Sequence, residues 1–500
     1  MSGNQSEKPA GQDGVPDWRP PRLQPATRAV SADDSNTQVE EIRAKIYPRS
    51  ITGVFAKWRI MLVLATQLIF YGLPWLQWNG RQAVLFDLTE RKFYIFGIVF
   101  WPQDVFYLAI ILIISAYGLF LFTALAGRLF CGYACPQTVY TEIFMWIERK
   151  VEGDRVARIR LDESPMSLRK LRIKGTKHLL WIMVAWWTGS TFIGYFSPIR
   201  ELGSELIHLQ LSFWQWFWMI FYSFATWGNA GFLRESVCKY MCPYARFQSV
   251  MVDKDTFVVT YDKIRGDPRG RRSKKIVPSQ AGLGDCVDCT ICVQVCPTGI
   301  DIRDGLQYMC IGCGACIDAC DQVMDKMNYP RGLIRYTSES GMLDGLNNKQ
   351  ARQRLFKPRV FVYFALLSVF IIGLIVSLSM RTPLRVDIVR DRGALGREIP
   401  GGMIENVYRI QLINMSENDQ TFALTARVND IAQVNVLAGE ENAREIKVPA
   451  FSSQWFPMVI RAPAEGSATG LHPLTLRIEN TDQKAGALSA ERDTTFYVPN

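Results

Sequence analysis

The sequence predicts a polytopic α-helical membrane protein with a cysteine-rich globular insert and an all-β C-terminal domain. Three observations predict it: five apolar stretches of 21 residues or more without Asp, Glu, Lys or Arg, two dense cysteine runs between Cys286 and Cys320, and a change to short alternating runs after Arg381. At 500 residues, 48% hydrophobic and 21% charged, the chain is too long for one ordinary domain and too apolar for a typical soluble one.

Residues 1–45 are polar, rich in Pro, Ser, Gln and Asp, and read as a disordered tail. No apolar run suited to a cleaved signal occurs in the first 30 residues, so the first span is expected to serve as the insertion signal. The five stretches are Ile60 to Gly80, Val105 to Gly127, Leu179 to Ile199, Leu206 to Leu233 and Val360 to Met380. A bilayer core of about 30 Å takes about 20 helical residues to cross, so each is read as a span. The first four belong to a membrane domain over 46–245 and the fifth to 358–380. The nine residues of "FYIFGIVFW" (93–101) are too few to span and are expected at the interface.

Basic residues hold loops on the cytoplasmic side. Arg128 to His178 carries 11 Lys or Arg and Arg234 to Lys357 carries many more, whereas Ser197 to Leu211 has only Arg200. The N-terminus is therefore expected inside and the C-terminus, after five crossings, outside. The net charge of +10 follows the same division, since residues 381–500 carry a net of −2. A basic total concentrated in inner loops points to membrane lipid and not to nucleic acid; the segment "RGDPRGRRSKK" (265–275) reads as a solvated linker that could also meet anionic lipid or an acidic redox partner.

All twelve cysteines lie between Cys131 and Cys320, on the side assigned as reducing, where thiols serve as ligands or catalysts more often than as disulfides. Within the cytoplasmic domain expected over 246–357, "CVDCTICVQVCP" and "CIGCGACIDAC" each read C-x2-C-x2-C-x3-C. Two-residue gaps let a turning loop aim three thiolates at one cubane, while the fourth cysteine reaches the other cluster. One [4Fe-4S] cluster is assigned to Cys286, Cys289, Cys292 and Cys320, the other to Cys310, Cys313, Cys316 and Cys296. Gly299, Gly312 and Gly314 supply backbone freedom, and Ile291, Ile300 and Ile311 are expected to shield the clusters. Zinc sites usually separate two pairs by a long spacer, which this doubled run lacks. Asp321 stands where a proline often follows the last cysteine.

Four further cysteines sit where spans two and four reach the inner side, in "FCGYACPQT" (130–138) and "VCKYMCPYA" (237–245). Cys131 and Cys135, and likewise Cys238 and Cys242, are four apart, which on a helix places both sulfurs on one face, with Pro136 and Pro243 favouring a break just beyond. Soft thiolates suit Cu(I), Zn or iron-sulfur chemistry; the alternative is four buried thiols packing as small hydrophobes. His178, His208 and His472 offer no pair at one depth for a membrane haem. Asp104, in "WPQD", is an ionisable group at a span end, open to a functional or an ordinary boundary role.

After Arg381, runs such as "LRVDIVR", "NVYRIQLIN", "TFALTARV", "WFPMVIRA", "HPLTLRIEN" and "TTFYV" predict a seven- or eight-strand Ig-like sandwich over 381–500.

Taken together, "FWPQD", "FCGYACPQT", "CKYMCPYARFQSVM" and the long cysteine segment ending "ACDQVMDKMNYPRGLIRY" resemble the CcoG/FixG/RdxA family of cytochrome c oxidase accessory proteins, from about residue 45 to the end. The resemblance implies an assembly factor for a cbb-type oxidase that reduces Cu(II) to Cu(I), a cupric reductase. It also implies a cytoplasmic electron donor, and partners among copper chaperones or oxidase assembly proteins. It carries the eight cluster cysteines over as ligands, and Cys131, Cys135, Cys238 and Cys242 as the membrane-edge set that would hold copper. A NapH-like quinol-oxidising ferredoxin lacks the fifth span and the sandwich; a copper-binding scaffold without turnover is the other alternative.

Overall fold

The structure, a computed structural model, describes residues 45–274, 282–344, 350, 353–391, 396–428, 434–438, 445–464, 468–481 and 489–499. The expected N-terminal tail lies, apart from Lys45, outside them.

Helix α1 (Val54–Gly72) starts six residues before the apolar run, taking in Lys57 and Arg59. Its N-cap, Gly53, has no side chain to bind the orphan N–H groups of the first turn. The Asp318 carboxylate does this instead, accepting from Phe55 N at 3.2 Å and Ala56 N at 2.8 Å. An antiparallel sheet follows, β1 (Val84–Asp87), β2 (Lys92–Ile95) and β3 (Ile98–Phe100). Residues 93–95 and 98–100 thus belong to strands. Helix α2 (Val105–Ala126) leads to short α3 (Leu129–Tyr133), α4 (Pro136–Glu152) and α5 (Arg155–Glu163). Next come α6 (Leu168–Ile193) and α7 (Phe213–Gly228), then two π turns, Asn229–Leu233 and Val237–Met241, and α8 (Pro243–Met251).

Three helical segments, Val54–Trp75, Pro102–Ala126 and Pro358–Ser379, are long and apolar enough to cross a membrane. They answer to the first, second and fifth expected spans. The other two are helical but differ from the expectation. α6 begins far upstream, in a basic stretch, so only its second half is apolar, and α7 has 16 residues, about 24 Å at the α-helical rise. They pack closely at Gly189, where a Cβ would fall 2.6 Å from the Met219 carbonyl oxygen. Both still expose large apolar side chains, Met183 and Trp187 on α6 and Trp214 and Phe224 on α7.

The insert pairs β4 (Val258–Tyr261) with β5 (Ile334–Thr337) and carries α9 (Ile291–Gln294) and α10 (Ala315–Met327). A core of Val259, Ile302, Ile317, Met324 and Ile334 holds these together. Helix α11 (Pro358–Ser379) packs on α2, with Tyr107 Oη 3.0 Å from Ser377 Oγ.

Beyond α11 the chain forms nine described strands: β6 (Leu384–Arg390), β7 (Arg397–Ile399), β8 (Met403–Asn414), β9 (Gln420–Val428), β10 (Asn435–Ala438), β11 (Glu445–Val448), β12 (Ser452–Pro463), β13 (Gly470–Asn480) and β14 (Ser489–Val498). One sheet runs β10-β12-β8-β6 with β7 also on β8; the other runs β11-β9-β13-β14. Alternate residues such as Tyr408, Ile410 and Leu412 face Leu474, Leu476 and Ile478 in a wholly buried core. The six runs legible in the sequence are β6, β8, β9, β12, β13 and β14. The short β7, β10 and β11 were not among them, because three or four residues carry too little alternation to register.

Asp104, open at the sequence level, is buried and bound to Arg381 Nη2 at 2.5 Å and to Trp101 N at 3.0 Å. Arg381 also donates to Val99 O, so one side chain ties the N-terminal end of α2 and this three-stranded sheet to the first residues of the sandwich. Val99 and Trp101 pack there against Ile413.

Candidate metal centres

The eight insert cysteines fall into the two groups that their spacing predicts. Cys286, Cys289, Cys292 and Cys320 line one cavity, and Cys296, Cys310, Cys313 and Cys316 line another, with Cys292 on the wall of both. Backbone conformation accounts for the tight loops. Gly299, Gly312 and Gly314 have φ of 71°, 65° and 73°, as does a non-glycine pair, Asp288 at 49° and Thr290 at 56°, in the first loop. At Gly314 a Cβ would also meet the Phe55 ring at 2.7 Å. Ile291 lines the first cavity, Ile300 and Ile311 the second. Asp321 lets α10 run unbroken past Cys320, where proline would remove a helical bond, and its Oδ1 accepts from Gly332 N at 2.9 Å.

Both cavities fit a [4Fe-4S] cluster. Each presents four soft donors within an otherwise mainly apolar wall, and Gly312 N–H points to Cys310 Sγ at 3.4 Å. Without a cation the pockets disfavour thiolate: burial pushes the Cys292 and Cys310 thiols up to about 12. The eight cysteines would hold their clusters as thiolates, since bound iron would favour the ionised form. Of the eight, Cys289 is exposed, so the first group borders solvent.

The membrane-edge cysteines are arranged differently from the expectation. Cys131 lies in α3, but Cys135 is the extended N-cap of α4 (φ −63°, ψ 128°), and Pro136 is the first residue of that helix. Cys238 lies in the second π turn, while Cys242 is the extended N-cap of α8 with Pro243 first. The two sulfurs of a pair therefore do not share one helical face. The residue before a proline is driven from the α region, so the break falls at the cysteine, and proline starts the next helix.

The four thiols nevertheless neighbour one another. Burial pushes Cys131 up to about 12, with the charges of Cys135, Cys238 and Cys242 adding to it and Arg128 opposing; burial likewise raises Cys238 to about 11, with Cys135 and Cys242 adding. Among the described residues no three His, Cys, Asp or Glu side chains converge tightly enough to hold one ion. Supporting side chains went unseen at the sequence level. Gln248, fully buried on α8, accepts from Cys131 Sγ at 3.5 Å and approaches Thr123 of α2 at 3.4 Å. Thr138 Oγ1 donates to Cys131 O at 2.5 Å, and Gln137 Nε2 donates to Asn229 O at 2.9 Å and Arg234 O at 3.1 Å, fixing the π turn. They carry no spacing signal of their own.

The two sets of thiols meet at Gly132. Its Cα packs so closely on the second cysteine loop that a Cβ would lie 2.8 Å from the Ile311 carbonyl oxygen and 3.0 Å from the Cys313 Cα. Tyr133 Oη donates to Cys313 O at 3.0 Å, and Cys131 packs in one cluster with Cys313 and Cys316. The histidines stand apart: His178 stacks on Phe232, His208 Nδ1 meets Ser204 O at 2.8 Å, and His472 Nε2 meets Ala468 O at 2.6 Å.

Comparisons with known proteins find iron-sulfur domains in both cysteine regions. Residues 233–339 match a 4Fe-4S dicluster domain, which takes in all eight insert cysteines with Cys238 and Cys242. Residues 108–152, with Cys131 and Cys135, match a 4Fe-4S binding domain, and residues 374–499 match the Ig-like fold at the C-terminus of FixG. Nitrogen fixation protein FixG of Rhizobium meliloti (strain 1021) is 39% identical over 416 residues, 77% of this chain and 79% of its own. Protein RdxA of Cereibacter sphaeroides is 38% identical over 469 residues, 91% of this chain and 97% of its own. Ferredoxin-type protein NapH of Haemophilus influenzae is 22% identical over 236 residues, 44% of this chain and 69% of its own. Since FixG and RdxA align along most of their own length and the tail is of the FixG kind, this chain, an iron-sulfur protein with apolar membrane-type helices, belongs to the FixG/RdxA family.

Proposed function

We propose that the chain is an inner-membrane electron-transfer protein that reduces Cu(II) to Cu(I) for the assembly of a cbb-type oxidase. Each copper takes up one electron, drawn from a low-potential cytoplasmic donor. Bound at Cys286, Cys289, Cys292 and Cys320 and at Cys310, Cys313, Cys316 and Cys296, two [4Fe-4S] clusters supply one-electron storage. The residues order the path. Cys289 opens the first cavity to solvent, Cys292 belongs to both cavities, and Gly132 presses the membrane-edge loop onto Cys313. That last contact carries the reading, because it leaves no intervening layer between the second cysteine loop and the four soft thiols where Cu(I) is the favoured product.

In this reading α6 and α7 are the third and fourth crossings, the N-terminus and insert are cytoplasmic, and the sandwich is periplasmic and meets copper chaperones or assembly proteins. The basic loops and the exposed apolar faces of α6 and α7 support it. The match to NapH supports a second reading, a quinol-oxidising ferredoxin subunit.

The test gives cluster-loaded protein a low-potential reductant and Cu(II), and follows Cu(I) with a chromogenic chelator. Wild type should turn over, and the variant with Cys131, Cys135, Cys238 and Cys242 all changed to Ser should lose at least about tenfold in rate. Equal rates would move copper elsewhere; binding without turnover would leave a scaffold; turnover of quinol alone would favour the NapH-like reading.

A further inference from the structure

A cavity of about 70 Å³ lies between the start of α1, the face of α4 and the second cysteine loop. Its charged lining is one-sided: Arg49, Arg59, Arg149 and Arg158 stand against Glu142. Glu142 is shared, pairing with Arg59 and, at 3.2 Å, with Arg149. Arg158 pairs at 3.2 Å with Glu148, but Glu148 also serves Arg234 at 2.6 Å and Lys177 at 3.8 Å. The guanidinium charge at this cavity therefore exceeds its carboxylates. The surplus is also visible as missing hydrogen bonds, since the Nε atoms of Arg59, Arg149 and Arg158 are all buried and without a protein acceptor. The Arg158 side chain is only 3% exposed, so this deficit is not met at the open surface.

We propose that this pocket binds a phosphate anion of the kind carried by phospholipid headgroups. Three unsatisfied N–H donors call for a ligand with several anionic oxygens, and the planar guanidinium fork matches phosphate. Depth agrees. Arg59 immediately precedes Ile60, where the charge-free run of α1 begins, and Ile60 and Met145 supply an apolar wall beside the arginines. A basic pocket between helices at the inner interface is the usual setting for an anionic headgroup. The inference rests on α1 crossing the membrane and is independent of copper reduction.

The test uses full-length, cluster-loaded protein in nanodiscs and counts retained lipid by native mass spectrometry. In mixed phosphatidylglycerol and phosphatidylcholine, one phosphatidylglycerol should persist, and Arg49→Ala with Arg149→Ala should weaken its retention at least about tenfold, by loss of charge-assisted bonds. Iron content, unchanged in the variant, shows that it has folded. A parallel titration of inorganic phosphate in phosphatidylcholine nanodiscs, read by 31P line broadening, identifies free phosphate as the source if it saturates while no lipid is selected. Retention of neither ligand, or retention equal in wild type and variant, overturns the proposal. So does a variant that alters only the paramagnetic signal of the reduced protein, which would leave the arginines to balance the charge near Cys313.

Discussion

At the residue scale, Gly132 and Glu405 show how single positions decide local chemistry. Backbone atoms of Ile311 and Cys313 leave Gly132 no room for a methyl group, so Gly132→Ala should push the second cysteine loop away from α3. Overpacking of this kind costs about 1–3 kcal/mol, and one of two cubane signals should broaden or vanish in electron paramagnetic spectra of the reduced protein. Two unaltered signals and an unchanged unfolding midpoint would refute the contact. In the sandwich, Glu405 is buried; its desolvation favours the protonated acid, but hydrogen bonds from Arg461 and Arg397 prevail and hold its carboxyl below the usual range. A carboxylate depressed in the folded state stabilises above its unfolded pKa of about 4.3, and that stability drains away as pH falls through the lower folded value. Melting of the sandwich, followed through Trp455 fluorescence, should therefore shift down between pH 5 and 3, and less so in Glu405→Gln. An equal shift in both would place the acid sensitivity elsewhere.

At the element scale, the helix breaks at Cys135 and Cys242 convert two helical motifs into two loops with neighbouring thiols. The quartet grouping of the insert cysteines could be read from spacing alone, because a cubane dictates it. The break position could not, because the periodicity of apolar residues does not record where a helix loses a hydrogen bond, and the π turns at Asn229–Leu233 and Val237–Met241 leave no pattern at all. Spans one, two and five were legible because each charge-free run coincides over most of its length with a single long helix. α6 and α7 were not delimited, since one begins inside a basic segment and the other gives way to a π turn. Gln248, Tyr133 and Arg381 each act through a folding partner more than a hundred residues away. The cap of α1 is an element-scale case with a test. Asp318→Ala should cost about 1 kcal/mol and speed amide exchange at Phe55 and Ala56, whereas unchanged exchange there would show that the helix start is held by other means.

At the scale of the whole molecule, the buried pair of Asp104 and Arg381 joins the N-terminal end of α2 and the C-terminal end of α11 to the sandwich, and the Gly132 contact joins α3, just beyond α2, to the insert. With the sandwich periplasmic and the insert cytoplasmic, as proposed, protease added outside sealed spheroplasts should remove the sandwich and spare residues 265–274. Cleavage within that basic segment from outside would invert the arrangement. Phe55 and Asp318 are 263 residues apart in the chain. The ribosome releases the first helix long before it makes the carboxylate that closes its leading turn, so a nascent chain halted before residue 318 keeps a loose end there. Completion of the iron-binding insert thereby becomes the event that finishes the earliest part to be synthesised.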